Sequence, residues 1–362
     1  MDVLYVMRNI WGGGAPRRFW EIHKLLVTKG LNVTLLATPD ASTYQRFEAR
    51  NFPGIKIIPV RIPKSLFSDY LFYFKATKIV RRIAKNFDII HDDFSPMAPY
   101  SFLWHPNTVA TIYEVFGKKA LKRYGIAGLA PLANEYLYHR MRYKIIITCT
   151  PSMERELKKL GVHSEVVPLG VDPSVYAPSK KNAEKGEEEE IVISNIARFA
   201  PIKGHICFLK VAKNLLQEKR NVKFVLPGTG PLLPKLGGSV SNLRIEFPGY
   251  VSERDKIKTL QGSDIFLNTS FQEGFGISVC EAMACQLPIV AFDVPGVRDL
   301  VTPRCGFLVP LGDIDRMIAR VKVLIENDSL RKKMGRRARE RVLEFFTWQR
   351  AAERIFEIYS NV

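Results

Sequence analysis

Short apolar runs alternate with helical stretches along this chain, and the alternation breaks once before it starts again. In the first half, residues 3–7, 32–37, 56–60, 88–91, 109–112 and 145–148 are apolar runs of strand length, and residues 17–29 read as a helix ended by Gly30. In the second half, residues 191–196, 222–226, 264–268, 288–291 and 306–309 read as strands, and residues 206–218 as a helix. Parallel strands need a crossover to reach each other, so this alternation predicts βαβ units and parallel sheets. Two such series predict two Rossmann-like domains in an α/β fold. A length of 362 residues agrees, because single cores seldom grow so large.

The break lies at residues 179–190, which hold Lys180, Lys181, Gly186 and four consecutive glutamates. Nothing there can bury a core, so it reads as a solvated linker. The expected organisation is an N-terminal domain over 1–172, a linker over 173–190, a second domain over 191–345 and a terminal helix over 346–362. Ligands of open parallel sheets bind outside the carboxyl ends of the strands. Candidate site residues are therefore sought in the loops that follow strands.

Composition excludes some classes and leaves others open. No apolar run approaches the roughly 18 residues that cross a bilayer. Residues 1–10 lack the basic start and long apolar centre of a signal peptide and read as a strand, so a cytoplasmic protein is expected. The five cysteines match no zinc spacing and read as reduced. Net charge is +18, with 25 Lys/Arg against 14 Asp/Glu in residues 1–178 and 29 against 22 beyond. Such an excess suits nucleic acid, an anionic membrane face or phosphorylated substrates. No nucleic-acid motif accompanies it, and no nucleic-acid partner is expected.

Gly12, Gly13 and Gly14 follow the first strand and precede a helix. Glycines there let backbone N–H groups approach an anion at the helix N-terminus, or simply make a tight turn. The spacing is not the dinucleotide fingerprint, and no acidic residue closes the second strand. Arg198 and Lys203 lie in a strand–helix loop of the second half. Two cations beside a helix N-terminus suit a diphosphate; the alternative is a pair of solvated charges. Gly228 sits in a glycine-rich turn after the next strand, open to a ligand or an ordinary β-turn. Val251 follows a similar turn, whose backbone could face a nucleobase.

Residues 273–283 are the most informative stretch. Glu273 and Glu281 are separated by Gly274, Phe275, Gly276, Ile277 and the start of a helix. Amides at Phe275, Gly276 and Ile277 could bind phosphate or sugar oxygens, and the two carboxylates could accept from sugar or ribose hydroxyls. This run resembles the E-x7-E motif of retaining glycosyltransferases with the GT-B fold, in particular glycosyltransferase family 4. The glycine loop, residues 167–172, the Arg198/Lys203 loop, residues 227–231, 248–251 and 306–310, and the terminal segment 346–359 fall in that family's order.

The resemblance implies a GT-B architecture: two Rossmann-like domains with parallel sheets facing across a cleft, and a C-terminal helix crossing back to the N-domain. It implies a retaining, metal-independent hexosyltransferase using a nucleotide diphosphate sugar, UDP- or GDP-linked, and a glycan or lipid-linked acceptor. No cofactor beyond that donor is implied. Arg198 and Lys203 would hold the diphosphate, Glu273 the transferred sugar, Glu281 the ribose and Val251 the base, with Gly12–Gly14 facing donor and acceptor. Tyr113 stands where the family often has a histidine that contacts the donor sugar. A noncatalytic nucleotide- or glycan-binding subunit and a nucleotide-sugar epimerase are the competing readings. Residues 65–85 and 118–144 mix aromatics with Lys and Arg, which suits either an anionic membrane surface, with peripheral attachment at the cytoplasmic face, or core-facing helices with a solvated side.

Overall fold

The computed structural model describes residues 1–10, 13–38, 54–63, 68–94, 100–115, 117, 129, 132, 135, 138–179, 190–218, 221–238 and 244–362. The chain divides into two compact units. The first is Met1–Pro168 with Trp348–Val362, and the second is Leu169–Thr347.

The first unit is built on a seven-stranded sheet. Its strands are β1 (Asp2–Asn9), β2 (Asn32–Thr38), β3 (Ile55–Pro59), β4 (Ile89–Phe94), β5 (Thr108–Ile112), β6 (Ile145–Thr148) and β7 (Glu165–Val166), in the order β3-β2-β1-β4-β5-β6-β7. Every pairing is parallel. Strands covered on both faces lose the polar alternation of a half-exposed sheet. Thus β5 is buried along its whole length and Val3 to Met7 of β1 are all buried.

Helix α1 (Gly14–Thr28) follows β1, α2 (Ser68–Ile83) precedes β4, and α3 (Pro151–Lys159) follows β6. α1 starts three residues before the expected Arg17, because Gly13 turns the chain at φ 83° and Pro16 is tolerated in a first turn. The terminal helix (Trp348–Ser360) belongs to this unit and packs on α1. Trp348, Ala351, Ala352, Ile355, Ile358 and Tyr359 are buried, which is a single helical stripe.

The second unit has a six-stranded parallel sheet. Its strands are β8 (Ile191–Ser194), β9 (Val222–Val225), β10 (Ile245–Glu246), β11 (Ile265–Asn268), β12 (Ile289–Phe292) and β13 (Gly306–Val309), ordered β10-β9-β8-β11-β12-β13. Between them run α4 (His205–Gln217), α5 (Leu233–Gly238), α6 (Glu253–Gln261), α7 (Ile277–Ala284) and α8 (Val297–Leu300). α9 (Ile314–Glu326) and α10 (Asp328–Phe345) follow β13. Residues 173–178, the start of the expected linker, are held on this unit. Tyr176 is buried, and the Arg339 guanidinium donates to the carbonyls of Pro173, Tyr176 and Ala284.

In both sheets the strand order reverses direction once. The chain leaves β1 toward β2 and β3, then returns to β4 on the other side. It leaves β8 toward β9 and β10, then returns to β11. In open parallel sheets such reversals are where loops diverge and ligands are held, outside the carboxyl ends of the strands.

Candidate active site

The second unit's reversal point gathers the residues singled out by spacing. The loop after β8 carries Arg198, exposed, and Lys203, which ends a single 3-10 turn (Pro201–Lys203) just before α4. Phe199 anchors this loop: it is fully buried and stacks on His205 with ring centroids 4.0 Å apart. The loop after β11 carries Glu273. The two loops meet through Phe271 N–H donating to the Ile202 carbonyl at 2.8 Å, and through an ion pair, Lys203 Nζ to Glu273 Oε1, at 2.6 Å. Lys203 and Glu273 side chains are 25% and 11% exposed, so the pair sits at the rim and not in the core.

Beyond Glu273 the chain enters α7 through Gly276, whose φ of 95° is left-handed backbone that an L side chain adopts only with strain. No side chain caps this helix start, which leaves the first amides, beginning with Ile277, to an anion or to water. Phe275 is buried against the Phe346 ring, 5.9 Å between centroids, and fixes the loop between the two glutamates. Glu281 lies on α7, 2% exposed, and accepts from Lys256 Nζ of α6 at 2.8 Å. Lys256 also reaches Glu253 at 3.0 Å and lies 5.2 Å from the Tyr176 ring centroid. Spacing alone misses Lys256, because nothing near it in sequence marks it as the partner of a glutamate 25 residues away.

Gly228 and Val251 line neighbouring loops. Gly228 N–H donates to the Gly249 carbonyl at 2.8 Å, joining the turns after β9 and β10. A side chain at Gly228 has no room, since a Cβ would lie 2.0 Å from the Ala197 carbonyl oxygen. Val251 is half-buried beside Ser252, which caps α6 by accepting from Asp255 N–H at 3.1 Å. His205, at the start of α4, is pushed down to about 4 by burial and by Lys203 beside it, and so stays neutral near pH 7.

The first unit's reversal point has a different character. Gly13 and Gly14 begin α1 after β1, with no side-chain cap; Gly12 lies outside the described residues. Behind them is a polar network that sequence inspection misses. Arg18 is 1% exposed, and its Nη1 donates to the Thr111 hydroxyl at 3.2 Å and the Tyr113 hydroxyl at 3.3 Å. Its Nε and Nη2 have no partner among the described residues. Tyr113, in the histidine's expected place, hydrogen-bonds Asp93, as does the Tyr5 hydroxyl at 3.2 Å.

His91 is a packed, hydrogen-bonded histidine. Nδ1 faces the Tyr359 hydroxyl at 2.6 Å and Nε2 the Thr111 hydroxyl at 2.7 Å. Asp92 accepts from Ser101 N–H and Oγ, at 3.0 and 2.7 Å, and from the Tyr143 hydroxyl at 2.5 Å. Burial dominates their titration. It raises Asp92 and Asp93 to about 6, lowers His23 to about 3 and holds His91 well below the usual imidazole range. No signal in the sequence shows this, because Arg18, Asp93 and Thr111 meet only after β1, β4 and β5 pair.

Known proteins resemble this chain in sequence and in fold. Residues 12–175 match the family model described as Glycosyltransferase Family 4, and residues 178–341 that described as Glycosyl transferases group 1. A poly(ribitol-phosphate) alpha-N-acetylglucosaminyltransferase of Staphylococcus aureus is 27% identical over 186 residues, 50% of this chain and 37% of its own length. A phosphatidyl-myo-inositol mannosyltransferase of Mycolicibacterium smegmatis is 26% identical over 359 residues, 97% of this chain and 90% of its own length. The chain thus spans about a third of the first relative, 37%, and nine tenths of the second, 90%. Among solved structures, Anabaena HepE in complex with UDP and glucose superposes with a TM-score of 0.78 over 100% of both chains at 18% identity, a likeness of fold. Two all-parallel Rossmann-like sheets, the returning terminal helix and two family models that follow one another along the sequence lead to one conclusion: the chain belongs to the GT-B glycosyltransferases of family 4, group 1.

Proposed function

We propose that this protein transfers a hexose from a UDP- or GDP-sugar to a glycan or lipid-linked acceptor, with retention at C1 and without a metal. The observation that carries the reading is the Lys203–Glu273 pair at the second unit's reversal point, beside an uncapped helix start. In the reaction the bond from sugar C1 to the diphosphate oxygen breaks and a bond from C1 to the acceptor oxygen forms. Negative charge grows on the departing diphosphate. Lys203 has three donors, so it can keep Glu273 and still meet that charge, with Arg198 and the α7 amides beside it. The departing phosphate oxygen takes the acceptor's proton, so no protein base is assigned.

Glu273, oriented by Lys203, accepts from hydroxyls of the transferred sugar, with the Phe275, Gly276 and Ile277 backbone beside it. Glu281, oriented by Lys256, accepts from the ribose. Gly228 and Val251 face the nucleotide. Anabaena HepE, a structure of the same fold, holds UDP and glucose, which supports a nucleotide-sugar donor here.

A thermal-shift panel of UDP-, GDP- and ADP-sugars tests the donor. A binding sugar nucleotide raises the melting temperature by mass action. If none of the panel shifts it, the donor reading fails. Turnover of the stabilising donor without transfer to any acceptor would favour an epimerase, and binding without turnover a noncatalytic subunit.

A further inference from the structure

The first unit carries a surface that neither its core nor the proposed donor site uses. α2 buries Phe72, Tyr73, Ala76 and Val80 in the core beneath the sheet. Its opposite face presents Tyr70, Phe74, Lys78 and Arg81, spaced four, four and three residues apart and all exposed. Phe74 is 60% exposed, where a helix that merely roofs a core would place a polar residue. The single turn Ser101–Leu103 packs beside α2 and adds Leu103, 61% exposed, and Trp104, 36% exposed. Cations are seated on these rings: Lys78 Nζ lies 4.3 Å from the Phe74 centroid and the Arg81 guanidinium 5.0 Å from that of Trp104. The charge is one-sided, since residues 61–87 hold seven Lys/Arg and one acidic residue, Asp69.

We propose that this face docks on an anionic phospholipid membrane, with α2 lying in the plane of the interface. Phe74, Leu103 and Trp104 enter the boundary between headgroups and acyl chains, and Lys78, Arg81 and their basic neighbours meet the lipid phosphates. Exposed rings call for a partly dry phase and the cations around them call for anions; an acidic bilayer surface supplies both in one plane. A second copy of the chain is a poor occupant, because it would set the same cations against one another. The attachment is peripheral: among the described residues no helix is long and apolar enough to cross a membrane. The inference stands apart from the donor reading and survives its failure.

The full chain is sedimented with vesicles of phosphatidylcholine alone and of phosphatidylcholine mixed with phosphatidylglycerol. Binding is expected to the mixed vesicles, to be at least about tenfold weaker to the neutral ones, and to fall as salt rises. Lys78→Gln with Arg81→Gln weakens it by about tenfold or more. Phe74→Ser with Leu103→Ser weakens it comparably. Leu343→Ser, at an exposed site of the second unit, leaves it unchanged. Melting curves confirm that each variant is folded, and all changes lie on the surface. No binding by the native chain, or undiminished binding by both double variants, overturns the proposal. So does a dimer that the Phe74→Ser/Leu103→Ser change dissolves, which would give the face to a second copy.

Discussion

The two reversal points differ in how they spend their polar groups. In the second unit, charges stand in opposite pairs on separate loops and helices, Lys203 with Glu273 at the rim and Lys256 with the buried Glu281. In the first, Tyr5, Arg18, His91, Asp92, Asp93, Thr111 and Tyr113 bond mainly to one another or to near neighbours, and burial shifts the acids and imidazoles toward their neutral forms. A rim pair can exchange part of its bonding for a ligand at small cost. A desolvated network cannot, because each bond broken leaves a buried group unsatisfied. The same fold therefore supplies one edge suited to holding charge that develops during a reaction and one suited to holding shape.

Four measurements can break or sharpen this contrast. The largest effect is expected from Lys203→Ala, which should lower the rate of sugar transfer by about 100- to 1,000-fold, the usual loss when one preorganised donor to a developing charge is removed. Its urea-denaturation midpoint should move little. Full activity in that variant would remove Lys203 from the chemistry.

Tyr359→Phe should do the reverse. It strips His91 of a buried partner, so stability should fall by about 1–3 kcal/mol in urea titrations while the nucleotide-induced melting shift persists. A lost shift with intact stability would reverse the roles given to the two regions. Gly276→Ala forces an alanine into left-handed backbone, at about 1–2 kcal/mol. Because it disturbs the α7 amides, it should also weaken donor binding, read by calorimetric titration.

The smallest effect concerns pH. His205 has a folded pKa of about 4, below the unfolded value, so at neutral pH it contributes nothing either way. As pH falls through about 6.5 toward 4, the unfolded chain takes up the proton first and stability is lost. In the first unit, His23 and His91 act in that sense too. Asp92 and Asp93, raised to about 6, bind protons first in the folded state and offset them. His205→Gln should therefore flatten the decline of melting temperature between pH 6.5 and 4. An unchanged slope would mean that His205 is not the group being titrated.

The same contrast governs what could be read from the sequence. Central strands such as β5, β11 and β12 were legible because both faces are buried, which makes them uninterrupted apolar runs. β7 was not, being two residues long, half-buried and at a sheet edge. Arg198, Lys203 and Glu273 were legible as types in strand-following loops, and Glu281 as one on the helix that follows Glu273. Their pairing was not, since Lys203 and Glu273 lie 70 residues apart. Arg18 carried no signal at all: its partners Thr111 and Tyr113 are 93 and 95 residues away, and an arginine in a helix ordinarily faces water. For α2, the mix of aromatics and cations over residues 65–85 left Phe74 open to either a core or a docking face. Its exposure is what separates a docking face from a roof.

The returning terminal helix bears on the order in which the molecule assembles. The first unit consists of two stretches of chain separated by the whole of the second, and His91 reaches its partner Tyr359 across 268 residues. Closing so long a loop carries an entropic cost that grows with its length, and a chain emerging from the ribosome cannot complete the early unit until the later one has been made. During synthesis the second unit can fold as an uninterrupted segment, while α1 waits with an apolar stripe uncovered. A chaperone engaging this chain would find its longest-lived target on that helix.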